Sequence, residues 1–236
     1  MILGRLVRLS DYALAASEEI ARVAMGLAPG VRVEALANGV ETDFFQRIQP
    51  ALPPAGLPRI VVPRRLFPKN GVEYFIRALP LILQSVDLEA VLIGDGPERG
   101  RLEALARELG VFHRVSFMGK VAHSEMPGLL SSGDLAVIPS LMEATSVAAL
   151  EAMACELPVL ASDVGGLPEI VSGDVGGLFE AGDPQALAGA VVQLLHEGKL
   201  PEKGALARKR VKERWSNDRL AERHVEIYSD LLQRKR

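Results

Sequence analysis

Apolar positions along this chain fall into two alternating kinds of segment. The runs Arg59–Val62, Ala90–Ile93, Val115–Met118, Leu135–Pro139 and Leu157–Ala161 are apolar almost without interruption. Such runs predict parallel strands buried on both faces. Between them apolar residues return at helical spacing. Val72, Phe75, Ile76, Leu79, Ile82 and Leu83 make one face, and Leu102, Leu105, Ala106 and Leu109 make another. Strand–helix alternation implies right-handed crossovers and an α/β fold, a Rossmann-like doubly wound parallel sheet. Asp183-Pro184 is a helix start, a capping side chain followed by proline in the first turn. Beyond it only C-terminal helices are predicted, over Gln185–His196, Lys203–Trp215 and Arg219–Gln233. The Pro-rich stretch Pro50–Pro58 reads as a linker.

Composition narrows the class. Of 236 residues, 48% are hydrophobic and 24% charged, a globular balance that excludes disordered, collagenous and coiled-coil chains. The 27 Lys+Arg against 30 Asp+Glu leave a net charge of −3, which argues against nucleic acid as a partner. The single cysteine, Cys155, cannot form an internal disulfide, and no Cys/His cluster suits a metal. At a predicted helix end it reads as a small buried hydrophobe. His113 and His123 fall in connecting loops, and His196 and His224 on tail helices, where solvated or capping roles are expected. Arg5 and Arg8 precede only the short apolar run Tyr12–Ala16, bracketed by Asp11 and Glu18, too little for a signal sequence. No run approaches the roughly 18 apolar residues of a membrane span. A soluble, cytoplasmic protein is expected.

Open parallel sheets bind ligands outside the carboxyl ends of their strands, so the loops after the strands hold the candidate chemistry. Gly94-Asp95-Gly96-Pro97 follows one strand. Its glycines suit either a structural turn or close approach to a ligand, and Pro97 suits a first helical turn. The segment Ser140–Cys155 carries more. A strand ends near Pro139, and an unusually apolar helix is predicted from about Thr145. The first turn of that helix presents free N–H groups and the positive end of its dipole, a cradle for phosphate. Glu143 lies in the loop before it. Glu151 is the only charge between Thr145 and Cys155, and a carboxylate on so apolar a helix is costly unless it is paired or hydrogen-bonded. A solvent-facing stripe and a buried arginine partner are the structural alternatives to a ligand. Arg65 and Lys69 follow the first strand of the sheet. Two cations facing a helix N-terminus suit a diphosphate, and solvated loop charges are the alternative.

In order along the chain stand Asn38-Gly39-Val40-Glu41-Thr42, Arg65-Leu66 through Gly71, Gly94-Asp95-Gly96-Pro97 and Val115-Ser116-Phe117-Met118-Gly119-Lys120-Val121. Glu143 and Glu151 follow with seven residues between them, then Leu150–Ala154, Pro158-Val159 and Gly165-Gly166-Leu167-Pro168-Glu169. Over roughly residues 36–215 this series resembles the C-terminal, donor-binding half of the family 4 glycosyltransferases, retaining enzymes of the GT-B fold. The resemblance implies transfer of a sugar from a nucleotide-sugar donor, with a UDP, GDP or ADP leaving group, to a sugar, lipid or other acceptor. By the same resemblance, Arg65 grips the donor diphosphate, assisted by Lys69 or Asn70 and by Gly94 close to the phosphates. The amides of Thr145, Ser146 and Val147 hold the phosphates, Glu143 contacts the transferred sugar as the catalytic residue, Glu151 accepts the ribose hydroxyls, and the main chain of Val121 meets the base. No Asp-x-Asp occurs, which fits the metal-independent, cofactor-free chemistry of the family.

Departures from the family pattern are equally specific. The family's phosphate-binding lysine falls on Asn70, its Gly-Phe-Gly after the first glutamate is Ala144-Thr145-Ser146, and the glycine usual after Ala-Cys is Glu156. The implied division is residues 1–37 as the end of an N-terminal acceptor domain with its linker, 38–215 as the nucleotide-sugar-binding domain, and 216–236 as a helix crossing back toward the first domain. In the first of these, Asp11–Ala16 reads as a strand and Ser17–Met25 as a helix. A separate chain carrying the N-terminal domain is then a possible partner, and a loose membrane contact through it a possible peripheral location. A nucleotide-sugar-binding module without catalysis of its own, or one subunit of a split transferase, is the competing reading.

Overall fold

The computed structural model describes residues 2–54 and 56–234. Met1, Ala55, Lys235 and Arg236 lie outside the described residues, and with them the outer bounds of the expected 1–37 and 216–236 segments and one position of the Pro50–Pro58 stretch. The strands are β1 (Ala13–Ala15), β2 (Val33–Ala35), β3 (Arg59–Val62), β4 (Glu89–Ile93), β5 (Val115–Gly119), β6 (Leu135–Ile138), β7 (Val159–Ser162) and β8 (Gly176–Phe179). The helices are α1 (Ile2–Leu9), α2 (Glu18–Leu27), α3 (Val72–Ile82), α4 (Arg99–Glu108), α5 (Met126–Leu130), α6 (Val147–Ala154), α7 (Leu167–Ile170), α8 (Pro184–Glu197), α9 (Leu200–Arg214) and α10 (Asn217–Arg234).

Among the described residues, β3–β8 form one six-stranded parallel sheet in the order β5-β4-β3-β6-β7-β8. Each strand feeds two cores, because successive side chains point to opposite faces. Ile60, Val62, Leu92, Leu135, Val137 and Leu160 face a core closed by α3, α4 and α8. Val61, Val91, Ala136, Ile138, Val159 and Ala161 face a second core closed by α5, α6, α7 and α9. The double burial explains why these strands read as unbroken apolar runs. The chain lays down β3, β4 and β5 outward in one direction, then returns to place β6, β7 and β8 in the other. Neighbours β3 and β6 therefore mark the point where strand order reverses, and the loops leaving their carboxyl ends diverge to open a crevice.

Several elements differ from the sequence expectation. Strand β8 was not foreseen, because Gly176 and Gly177 erase its apolar signature. A side chain at 176 would come within 1.8 Å of the Val159 carbonyl, so glycine is what lets β8 lie against β7. Helix α6 begins at Val147 rather than near Thr145, since Ser146 caps it by accepting the Ala149 N–H at 3.3 Å. Helix α4 begins at Arg99, so Pro97 sits in the preceding turn rather than the first helical turn. The Pro50–Pro58 stretch is tied down: Ala51 N–H donates to the Gly128 carbonyl at 3.0 Å, and Leu52 N–H donates to Ser132 Oγ at 3.0 Å. Residues 2–37 form a small unit in which β1 pairs parallel with β2 around Ala15, Ala21 and Val33. Both α1 and β2 are short elements the apolar pattern did not reveal. Helix α10 packs on this unit through Arg223, which reaches Glu34 at 2.7 Å, and Val40 is held between the Trp215 carbonyl and the Asn217 N–H.

Candidate active site

Two loops define the crevice at the carboxyl ends of β3 and β6. The first runs from Pro63 to Gly71 and the second from Pro139 to Ser146. Leu141 N–H donates to the Lys69 carbonyl at 2.8 Å, which joins the loops across the reversal point. Two glycines clamp the second loop. At Gly71 (φ +64°) a Cβ would fall 1.8 Å from the Pro139 carbonyl oxygen, and at Gly165 (φ +56°) one would fall 1.6 Å from that of Glu143. Only glycine fits either contact, and both positive φ values suit it.

Glu143 is thereby aimed at the first loop, where the cation it meets is Arg64. The Arg64 Nη2 lies 2.5 Å from Glu143 Oε2. The same nitrogen donates to Ser140 Oγ at 2.7 Å and to Asn70 Oδ1 at 3.0 Å. Nη1 reaches Ser146 Oγ, the α6 cap, at 3.5 Å. The Arg64 side chain is only 10% exposed, yet its Nε has no hydrogen-bond partner among the described residues, nor does the buried Oγ1 of Thr145.

Arg65 and Lys69, the cations singled out in the sequence, are exposed. Arg65 lies over the Phe67 ring, 5.7 Å from its centroid. Asn70 is buried: its Nδ2 donates to the Arg65 carbonyl at 2.6 Å while its Oδ1 receives Arg64. Asn70 thus positions the arginine. Gly94 (φ +143°) presses on the same loop, with a would-be Cβ 2.3 Å from the Arg64 carbonyl oxygen. Arg64 itself went unremarked in the sequence. Its available signal was the Arg64-Arg65 pair, two residues past a strand end, beside an asparagine where the family carries lysine.

The first four N–H groups of a helix have no intrahelical acceptor. At α6 the Ser146 hydroxyl takes that of Ala149, and the amides of Val147 and Ala148 have no partner within the helix. Farther along α6 stands Glu151. Neither a buried arginine nor any other hydrogen-bond partner meets it among the described residues, and burial pushes its carboxyl up to about 7. Val121, two residues after β5, packs partly buried against the core that contains α6. Cys155 caps the helix C-terminus, fully buried, with its thiol pushed up to about 12 chiefly by that burial. Open clefts flank the Glu143 loop. One of about 910 Å³ is lined by Glu143, Met142, Arg22, Asp163 and Pro168. Another of about 520 Å³ reaches Thr145 from between the N-terminal unit and α10. Across the described residues, no three His, Cys, Asp or Glu side chains gather as a metal site, and no helix is long and apolar enough to cross a membrane.

This geometry sits on a chain with known relatives. The family description "Glycosyl transferases group 1" matches residues 57–197. An uncharacterized glycosyltransferase of Methanocaldococcus jannaschii is 39% identical over 166 residues, covering 70% of this chain and 43% of that protein. A GDP-mannose-dependent α-(1-6)-phosphatidylinositol monomannoside mannosyltransferase of Mycobacterium tuberculosis is 34% identical over 218 residues, covering 85% of this chain and 56% of that protein. The chain thus spans about half the length of these relatives. Among solved structures, sucrose-phosphate synthase from Thermosynechococcus elongatus superposes with a TM-score of 0.88 at 26% identity, covering 99% of this chain and 61% of that one.

Proposed function

The chain belongs to the group 1 glycosyl transferases, and from that premise we propose that its crevice binds a nucleotide-sugar donor and serves retaining transfer of the sugar to an acceptor hydroxyl. The observation that carries the reading is Glu151. An unpartnered, half-buried carboxylate raised to about 7 is poorly tolerated on an apolar helix. It becomes favourable when a pair of ribose hydroxyls donates to it. The N-terminus of the same helix then faces the phosphates, where its dipole and the open amides at Val147 and Ala148 stabilise negative charge as the diphosphate departs. Thr145, Ser146 and Gly94 border that position, Arg65 and Lys69 approach it from the first loop, Val121 meets the base, and Glu143 contacts the sugar. This arrangement needs neither a cofactor nor a metal-binding motif. GDP- and UDP-linked sugars both fit the reading.

Retaining transfer also requires the acceptor hydroxyl to be held against the anomeric carbon while water is kept out. In our reading a further domain, in the same polypeptide or on a second chain, forms that wall against the 38–215 unit, with the 216–236 helix joining the two. The donor unit then works in the cytoplasm, with any membrane contact made through the acceptor side. Titration calorimetry of the 236-residue chain with UDP, GDP, ADP and their sugars tests the donor assignment. Binding of one series is expected, and absence of heat and of competition for all three rejects it.

A further inference from the structure

We propose that Arg64 is a donor-contacting residue of this site, placed at the junction of the sugar and its β-phosphate, and that Glu143 occupies it until donor arrives. The inference rests on the donor reading above and goes beyond it, since it assigns the cation, its carriers and an exchange of partners. Four observations converge on it. The guanidinium is nine-tenths buried but incompletely bonded among the described residues: Nη2 is crowded by Asn70, Ser140 and Glu143, Nη1 has one long contact, and Nε has none. A buried N–H without an acceptor is a standing cost, and an incoming phosphate oxygen removes it. Second, Nη1 sits 3.5 Å from the α6 cap, and a cation is disfavoured at a helix N-terminus unless an anion accompanies it. Glu143 supplies that anion in the free protein.

Third, the position of the group follows from what it touches. It bridges the carboxylate assigned to the sugar and the helix N-terminus assigned to the phosphates, so the atoms between them are those of the phosphate bearing the sugar. Fourth, the buried Asn70 accepts from Arg64 where a lysine is expected from the family pattern. The cation has moved from position 70 to position 64, and Asn70 has become its positioning residue. Donor binding then hands Arg64 from carboxylate to phosphate and leaves Glu143 free to face the sugar.

The test compares nucleoside diphosphates with monophosphates on the intact chain, using whichever of UDP, GDP or ADP binds the wild type. Arg64→Ala is expected to weaken the diphosphate by about tenfold to a hundredfold, the scale of a lost charge-assisted hydrogen bond. The monophosphate changes less than about twofold, because that contact is made only by the β-phosphate. Glu143→Gln is expected to tighten the diphosphate several-fold by releasing Arg64. Arg64→Ala with Glu143→Ala leaves no lone buried carboxylate, so the loss can be read even where the single variant folds poorly. Arg64→Lys recovers part of the affinity, since it keeps the charge and loses the fork. A diphosphate-to-monophosphate ratio unchanged in all Arg64 variants, with thermal midpoints preserved, overturns the assignment and leaves Arg64 a structural partner of Glu143. Failure of the wild type to bind any of the nucleotides overturns the donor reading and this inference together.

Discussion

Strand β3 is bracketed by two arginines, and they solve opposite problems. Arg59 opens the strand at the amino end of the sheet, and Arg64 follows it at the carboxyl end. Their side chains are almost equally buried, 8% and 10% exposed, and each pairs with a glutamate. Around Arg59 every group is answered. Nε donates to Glu89, Nη1 to the Ser132 carbonyl at 3.0 Å and Nη2 to the Pro53 carbonyl at 2.7 Å, while its backbone N–H donates to Asp134 at 2.8 Å. Around Arg64 one nitrogen is over-subscribed and another has no partner among the described residues. Burial alone does not distinguish structure from function. The distribution of bonds over the guanidinium does.

The largest expected effect lies at the saturated end. Arg59→Met leaves the partly buried Glu89 and two carbonyls without their donor and is expected to lower stability by about 3–5 kcal/mol, the usual cost of breaking a buried pair from one side. Denaturant titration measures it, and nucleotide affinity at low temperature is expected to be unchanged. A loss of affinity comparable to that of Arg64→Ala breaks the comparison.

Glu151 gives an intermediate effect and a pH signature. Glu151→Gln is expected to weaken nucleotide binding by about 1–3 kcal/mol. Its carboxyl titrates near 7 when folded, above the ordinary range, so the folded state holds the proton more tightly than the unfolded chain. The resulting stabilisation is complete below the unfolded pKa of about 4.3 and is lost as pH rises through 7. Binding has the reverse slope. Hydroxyl donors need the carboxylate, so affinity is expected to rise about tenfold per pH unit up to 7 and then level off. The Gln variant is expected to show neither slope, as calorimetry and thermal melts between pH 5 and 8.5 report.

The smallest effect sharpens the carboxyl end. Ser146→Ala removes the α6 cap and is expected to cost about 0.5–2 kcal/mol of stability. It also removes the one hydrogen-bond acceptor that Arg64 Nη1 has among the described residues, so diphosphate affinity is expected to shift modestly with it. An Asp183→Ala variant, which removes the α8 cap on Gln185 and Ala186, is the control: comparable loss of stability, unchanged affinity.

The fold was legible because strands buried on both faces have no choice but to be apolar throughout, and β3 was bounded to the residue. Strand β8 was not, because the close approach of backbones that requires Gly176 also strips the strand of its side-chain signal. Glu143 and Glu151 stood out by their place before and within an apolar helix and by the family pattern they match, and Glu151 further by its isolation on that helix. Arg64 did not. In extended chain neighbouring residues point to opposite sides, so a pair such as Arg64-Arg65 gives no hint of which member turns inward until the partners at Asn70 and Ser140 are placed. The polar acceptors decide the matter, and they lie 76 residues away in the second loop and 6 residues away at the far end of the same loop.

The glycine clamps at positions 71 and 165 carry a consequence for how such a site diversifies. Each presses on a carbonyl of the Pro139–Ser146 loop from a different part of the chain, so the path of that backbone is fixed by neighbours rather than by its own residues. Variation is thereby channelled. Within the loop, Met142 and Ala144 have exposed side chains and can be exchanged without disturbing either clamp, whereas any replacement of the glycines moves Glu143 itself. If the crevice holds a donor sugar as proposed above, changes of sugar preference have open routes through 142 and 144 and closed ones at 71 and 165, which makes those two exposed positions the natural library for redesigning specificity.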